Sequence, residues 1–304
     1  MLAPVVIFVY ARPEHTVKTI ESLAKNLLAD KTDVYVYSDA ARNEKTQQSV
    51  ELVREYVDAL KQRNLFKSLR IIKAIENKGL ANSVISGVTE ILEQYGKVIV
   101  VEDDLVSAPD FLRYMNEALD LYKDDNRIWS ICGYTFKMNF PADYKHDIYL
   151  SCRGGSWGWA TWRDRWNMVD WDVADYDAFK QNKKLRTQFN RGGRDMAEML
   201  DAQMEGRIDS WAIRWCYTQS KLNMLTVYPV ISRISNIGLD GTGTHSGVTS
   251  KYKTTINNGI NQCKFERCEL DRRIVKMFRD QFGTASGFFL RGLKKHIKKL
   301  IGKK

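Results

Sequence analysis

The feature that most narrows what this chain can fold into is a run of apolar, β-branched and aromatic residues that recurs four times in the first hundred or so positions. Val5-Val6-Ile7-Phe8-Val9-Tyr10 is the first, and Asp33-Val34-Tyr35-Val36-Tyr37-Ser38, Leu69-Arg70-Ile71-Ile72-Lys73 and Lys97-Val98-Ile99-Val100-Val101 follow it. Unbroken runs of this kind read as strands buried on both faces, as in a parallel sheet, because a half-exposed strand would alternate apolar and polar residues. Helical patterns separate them, over 15–28, from beyond Ser38 through Leu60, and from Asn77-Lys78-Gly79-Leu80 onward. The alternation predicts an α/β fold built on a doubly wound, mostly parallel sheet. After about residue 130 the periodicity breaks into short strands, aromatic-rich loops and helices, without a linker, an internal repeat or a long low-complexity segment.

Open parallel sheets bind ligands beyond the carboxyl ends of their strands. The residues just past each run are therefore the candidates: Arg12, Asp39, the trio Glu76, Asn77 and Lys78, and the triplet Glu102-Asp103-Asp104. Three adjacent carboxylates repel one another, and a divalent cation with a sugar hydroxyl would relieve the repulsion. A hard cation such as Mg²⁺ or Mn²⁺, with a pyrophosphate on its far side, suits carboxylate oxygens, and it would stabilise a departing diphosphate. The plain alternative is an acidic turn that caps the helix starting near Ala108-Pro109-Asp110-Phe111; the position of the triplet at a strand end within a βαβ array favours the site.

Val100-Val101-Glu102-Asp103-Asp104-Leu105-Val106-Ser107-Ala108-Pro109-Asp110-Phe111 resembles the acidic motif of the animal N-acetylglucosaminyltransferase that initiates hybrid N-glycans, and of related GT-A enzymes, bacterial sugar transferases among them. The similarity continues in order through Tyr10-Ala11-Arg12-Pro13, Ser38-Asp39, Trp157-Gly158-Trp159, Ser232-Arg233-Ile234-Ser235 and Gly243-Thr244-His245, covering roughly residues 3 to 250. It implies a GT-A-like fold and a metal-dependent, inverting glycosyltransferase that moves a sugar from a nucleoside diphosphate to an acceptor hydroxyl in glycan or surface-polysaccharide synthesis. By the resemblance Asp104 contacts the metal, Asp103 the ribose or sugar, and Glu102 the transferred sugar. Arg12 and Asp39 hold the nucleotide, and Asp39, accepting from the base imide, favours uridine. Arginine beside a diphosphate is physically apt in any case, since its guanidinium pairs phosphate bidentately. Lys78 is a second basic candidate, with a solvent-facing helix start as its other reading. The organisation expected is a nucleotide-sugar-binding half over 1–130, an acceptor-binding and catalytic half of the same domain over 131–287, and a tail over 288–304.

The stretch Arg153-Gly154-Gly155-Ser156-Trp157-Gly158-Trp159-Ala160-Thr161-Trp162 packs three Trp and three Gly together. Glycines allow close backbone approach and Trp faces stack on sugar rings, so Trp157, Gly158 and Trp159 are candidates for the floor of the donor and acceptor sites; a packed core loop is the alternative. An inverting transfer needs a carboxylate to take the acceptor proton. Asp209, in Arg207-Ile208-Asp209-Ser210-Trp211, is the candidate base, with helix capping as its other reading and Asp201 and Asp164 as fallbacks. His245, in Gly241-Thr242-Gly243-Thr244-His245-Ser246-Gly247, is a candidate to reach the metal or diphosphate from a closing loop.

The net charge of +10 at first suggests nucleic acid, but Arg291 to Lys304 hold one Arg, six Lys and no acid, which leaves only +3 for the rest. A nucleic-acid partner is therefore not expected. Phe289, Leu290, Leu293, Ile297, Leu300 and Ile301 fall on one helical face with lysines between them, so 288–304 reads as a basic amphipathic helix suited to an anionic membrane, useful for a lipid-linked sugar acceptor. Five scattered cysteines without a CxxC pair argue against a disulfide framework or a thiolate zinc site. The expected location is the cytoplasm, peripherally at the inner face of the membrane. Two rivals stand: a sugar nucleotidyltransferase, which would usually show a glycine-rich phosphate loop where Tyr10-Ala11-Arg12-Pro13 has no glycine, and a non-catalytic membrane- or nucleic-acid-binding module using the tail.

Overall fold

A computed structural model of the chain describes residues 1–241, 249, 251–254, 256, 259–260 and 262–283. The four apolar runs are strands β1 (Val5–Val9), β2 (Asp33–Ser38), β3 (Ser68–Lys73) and β4 (Lys97–Glu102). Helices α1 (Pro13–Ala24), α2 (Glu44–Ala59) and α3 (Leu80–Tyr95) connect them. Pro13 opens α1 at a position where its missing N–H costs nothing. Asn43 and Thr46 form a capping box at the start of α2, and Gly96 at φ 74° closes α3 in the left-handed conformation.

The remaining elements are β5 (Leu105–Ser107), α4 (Phe111–Tyr122), β6 (Ile128–Cys132), β7 (Ile148–Ser151), β8 (Trp159–Trp162), α5 (Arg163–Trp166), α6 (Tyr176–Gln181), α7 (Lys183–Phe189), α8 (Met196–Met204), α9 (Trp211–Lys221), β9 (Leu225–Pro229), β10 (Ile234–Asn236) and α10 (Arg272–Gln281). Eight strands form one sheet in the order β3-β2-β1-β4-β8-β6-β9-β7, while β10 and β5 pair separately and antiparallel. The first four strands are parallel, β8 runs against β4, and the later part is mixed in direction. The second half of the chain thus extends the sheet of the first. The architecture is the GT-A-like α/β fold expected from the sequence.

Side chains alternate across a strand, and on β1 both faces are dry: Val5, Ile7 and Val9 enter one core while Val6 and Phe8 enter the other. This is why the run shows no polar alternation. The chain leaves β1 toward β2 and β3, then returns to lay β4 on the other side of β1. The strand order therefore reverses between β1 and β4, where a doubly wound sheet leaves a crevice. Among the described residues no helix is long and apolar enough to cross a membrane. The tail over 288–304 lies outside the described residues.

Candidate active site

Phe8 pairs with Glu102, so the segments leaving β1 and β4 emerge side by side. Arg12, the residue before α1, comes from the first, and Asp103 and Asp104 from the second. Arg12 bridges the two acids: Nε donates to Asp103 Oδ2 at 3.3 Å, Nη2 bonds Asp103 Oδ1, and Nη1 lies 2.9 Å from Asp104 Oδ2. Both acids are buried, at 4 % and 9 % exposure, so the guanidinium shared between them offsets part of the cost of burying them. Thr19 Oγ1 fixes the turn by donating to the Asp103 carbonyl at 2.8 Å.

Burial pushes the Asp103 carboxyl up and Arg12 opposes it. Glu102 is half-buried; burial and then the charges of Asp104 and Asp103 push its carboxyl up to about 8, with Arg12 opposing them. Glu102 therefore retains its proton near neutrality.

A segment that sequence reasoning missed closes over this cluster. Ile237 N–H donates to the Asp104 carbonyl at 2.9 Å, and Asn236 Oδ1 accepts from Gly238 N–H at 2.8 Å in an Asx-type turn. Gly238 then lies so close that a Cβ there would stand 2.1 Å from Asp104 Oδ2 and 2.7 Å from Arg12 Nη1. The Asn-x-Gly spacing was the available signal. Two residues on, Asp240 meets His15 Nε2 at 3.2 Å, tying the segment to α1.

Asp39 is engaged as an acceptor within the chain. Its Oδ1 accepts from Ala40 N–H and Lys78 N–H, each at 2.9 Å, and its Oδ2 from Asn77 Nδ2 at 3.1 Å and Gly79 N–H at 3.0 Å. Two carboxylate oxygens offer about four lone-pair sites, so none remains for a base imide in this arrangement. Asp39 thereby organises the 77–79 loop. Lys78 enters through its backbone N–H, with its side chain exposed.

The expectation for the Trp-Gly stretch needs correction. Trp159 is fully buried at the start of β8, with ring centroids 4.7 Å from Trp215, 5.0 Å from Trp211 and 5.7 Å from Trp166. It belongs to the core and offers no face to a sugar. Gly158, at φ 63°, is demanded by packing, since a Cβ there would meet Ile234 Cγ1 at 2.6 Å. Only Trp157 is half-buried, edge-on to Tyr134 at 4.7 Å and Tyr252 at 5.9 Å.

Asp209 is exposed, and its Oδ2 lies 3.7 Å from where a Cβ would sit on Gly79. It does not cap α9: Ser210 Oγ does that, accepting from Ile213 N–H at 3.3 Å. The fallbacks are engaged elsewhere. Asp201 is held bidentately by Arg186 at 2.8 and 2.7 Å, and Asp164 pairs with Arg165. His245 lies outside the described residues. Among those described, no group of three or more His, Cys, Asp or Glu could hold a metal ion. A cavity of about 530 Å³, lined by Arg191, Leu270, Arg272, Val275, Lys276 and Arg279, contains none of these acids.

Comparison with known proteins places residues 5–198 within the model of glycosyl transferase family 2. No curated protein matches the chain. Solved structures of TarS from S. aureus are similar: residues 1–349 in complex with UDP, at 18 % identity over 48 % of this chain and 39 % of that one, with a TM-score of 0.33; residues 1–349 alone, at 12 % identity over 76 % and 59 %, TM-score 0.41; and TarS itself, at 12 % over 76 % and 37 %, TM-score 0.38. The chain thus spans between 37 % and 59 % of the TarS chains it matches.

Proposed function

This chain belongs to glycosyl transferase family 2, and from that premise we propose that it transfers a sugar from a nucleoside diphosphate to an acceptor hydroxyl, with Mn²⁺ or Mg²⁺ and with inversion at the anomeric carbon. One observation carries the reading: Arg12, Glu102, Asp103 and Asp104 converge at the reversal of strand order between β1 and β4. In a doubly wound sheet this is where a nucleotide binds.

The residues fit a hard cation by the chemistry of their oxygens, and the protein ligands are few, so diphosphate oxygens would complete the set. Asp104 would hold the ion, with Asp103 beside it, and once bound the ion would supply positive charge for the leaving diphosphate. Arg12 adds a guanidinium suited to the same phosphates. Glu102, whose carboxyl burial pushes toward its neutral form, can in that form donate a hydrogen bond to a sugar hydroxyl where an ionised acid could only accept.

Asp209 is the base in this reading. It takes the acceptor hydroxyl proton, the acceptor oxygen forms a bond to the anomeric carbon, and the bond from that carbon to the diphosphate oxygen breaks, its electron pair leaving with the nucleoside diphosphate. Its exposure, its place at the rim beside Gly79 and the cap made by Ser210 all leave its carboxylate to this task. The likeness of the acidic motif to the animal N-acetylglucosaminyltransferase supports inversion.

Uridine is the base we assign, on the likeness of Ser38-Asp39. Asp39 would reach it by releasing the Asn77 side chain, the one donor of its four that can rotate away. The basic sequence over 288–304 supports attachment to an anionic membrane, where a lipid-linked or surface glycan acceptor would be met.

A thermal-shift panel of UDP-, GDP-, CDP- and dTDP-sugars with and without Mn²⁺ tests the proposal. A donor-specific, metal-dependent rise in Tm is expected, and no rise with any donor would overturn it.

A further inference from the structure

We propose that Arg12 is an internal counter-ion that a divalent metal must displace from Asp104, so that metal and nucleoside diphosphate bind together and the metal alone binds weakly. The inference rests on the donor reading above and adds the order in which the site fills.

The geometry sets Arg12 against the oxygen that a metal on Asp104 would share with it. Asp103 and Asp104 share one guanidinium, which uses Nε and Nη2 on the first and Nη1 on the second. A second cation placed on Asp104 Oδ2 would stand within a few ångströms of Nη1, in a buried setting where repulsion is poorly screened. Gly238 lies close beside both Asp104 Oδ2 and Arg12 Nη1, which leaves little room for an ion next to their contact. A metal on the same Asp104 oxygen therefore competes directly with Arg12.

A diphosphate supplies the compensation. Its oxygens pair a guanidinium bidentately and more strongly than a neutral acceptor could. When nucleotide draws Arg12 off the acids, the metal finds Asp104 released and the diphosphate oxygens beside it. Each ligand then raises the affinity for the other by the same factor, as linkage requires. In the absence of nucleotide the acids stay paired with Arg12 rather than left as an unpaired buried pair.

The test is isothermal titration of the full chain with Mn²⁺ alone, and with Mn²⁺ in the presence of saturating UDP, for wild type, Arg12→Met and Arg12→Lys. Removing the bridge should tighten binding of Mn²⁺ alone by about tenfold or more in Arg12→Met, while the gain in Mn²⁺ affinity produced by UDP, within the usual range of about 5- to 150-fold in wild type, should shrink toward unity. Arg12→Lys retains the charge but spans only one acid, so it should fall between the two; it also serves if the Met variant does not fold, as checked by its melting transition. Metal alone binding both variants no tighter than wild type would overturn the inference, as would a total absence of Mn²⁺ binding. Failure of UDP to bind any of the three proteins, with the Mn²⁺-alone difference intact, would count against the uridine donor and leave Arg12 as the displaced cation.

Discussion

Replacing Gly238 with Ala is the sharpest probe of the site, because its effect follows from distances alone. Gly238 is not in the left-handed region, so an alanine there pays no backbone penalty. What it meets is steric: the added Cβ would stand 2.1 Å from Asp104 Oδ2, 2.8 Å from Asp104 Cγ and 2.7 Å from Arg12 Nη1. Ordinary contact between such atoms is about 3.5 Å, so the carboxylate or the backbone must move by about 1 Å. Arg12 can swing aside, but Asp104 is pinned, since Ile237 N–H bonds its carbonyl at 2.9 Å. Overpacking of this kind costs about 1–3 kcal/mol of stability. Displacing a group that positions the reacting atoms by ~1 Å costs about a hundredfold in rate. Urea denaturation and kcat/KM for transfer should therefore both change, the second more than the first. Gly96→Ala is the control: nothing lies within 4 Å of its Cβ position and φ is +74°, so it should lose about 1–2 kcal/mol with kcat/KM preserved. If Gly238→Ala matches wild type in both assays, the closure of this segment over Asp104 is not what positions it.

Three further outcomes are expected. Asp209→Asn should retain donor binding by thermal shift and lose about 10²- to 10⁴-fold in kcat, the range for a missing general base; near-normal turnover would place the base elsewhere. Glu102 keeps its proton in the folded state up to about pH 8 against an ordinary 4.5. Between those values the unfolded chain has lost the proton that the folded chain holds, so this residue's contribution to stability is full below about 4.5 and falls as pH rises toward 8. The stability difference between wild type and Glu102→Gln, followed by urea denaturation from pH 5 to 8, should shift steadily in favour of the variant; a flat difference would refute the raised affinity for the proton. Trp159→Ala should destabilise the protein by about 3–5 kcal/mol, as loss of a large core residue does, whereas Trp157→Ala should cost less stability and show itself in KM. An unchanged denaturation midpoint for Trp159→Ala would return that ring to the binding surface.

What could be read from the chain before its fold was known depended on whether a residue's surroundings are set by its own segment. Strands β1 and β4 were legible because each is buried on both faces, which leaves an uninterrupted apolar run. The mixed order β8-β6-β9-β7 was not, since strands of four or five residues carry little periodicity and their pairing is settled by distant segments. Trp159 shows the same limit at the scale of one ring: whether it stacks on a sugar or on Trp211 and Trp215 is decided some fifty residues later in the chain. Asp39 was found as a strand-end acid, but the donors that saturate it come largely from the loop after β3.

The acidic triplet and Arg12 combine both cases. Topology alone brings the two strand ends together, so their charges could be placed in one crevice from the order of apolar runs. Sequence then assigned Arg12 to phosphate, because phosphate is what an arginine in a nucleotide crevice ordinarily meets; the structure instead puts it on Asp103 and Asp104. The two assignments are reconciled when the guanidinium exchanges partners. A buried acid pair has to be neutralised in every state the protein visits, which makes the residue that serves the acids in one state the natural partner of the diphosphate in another.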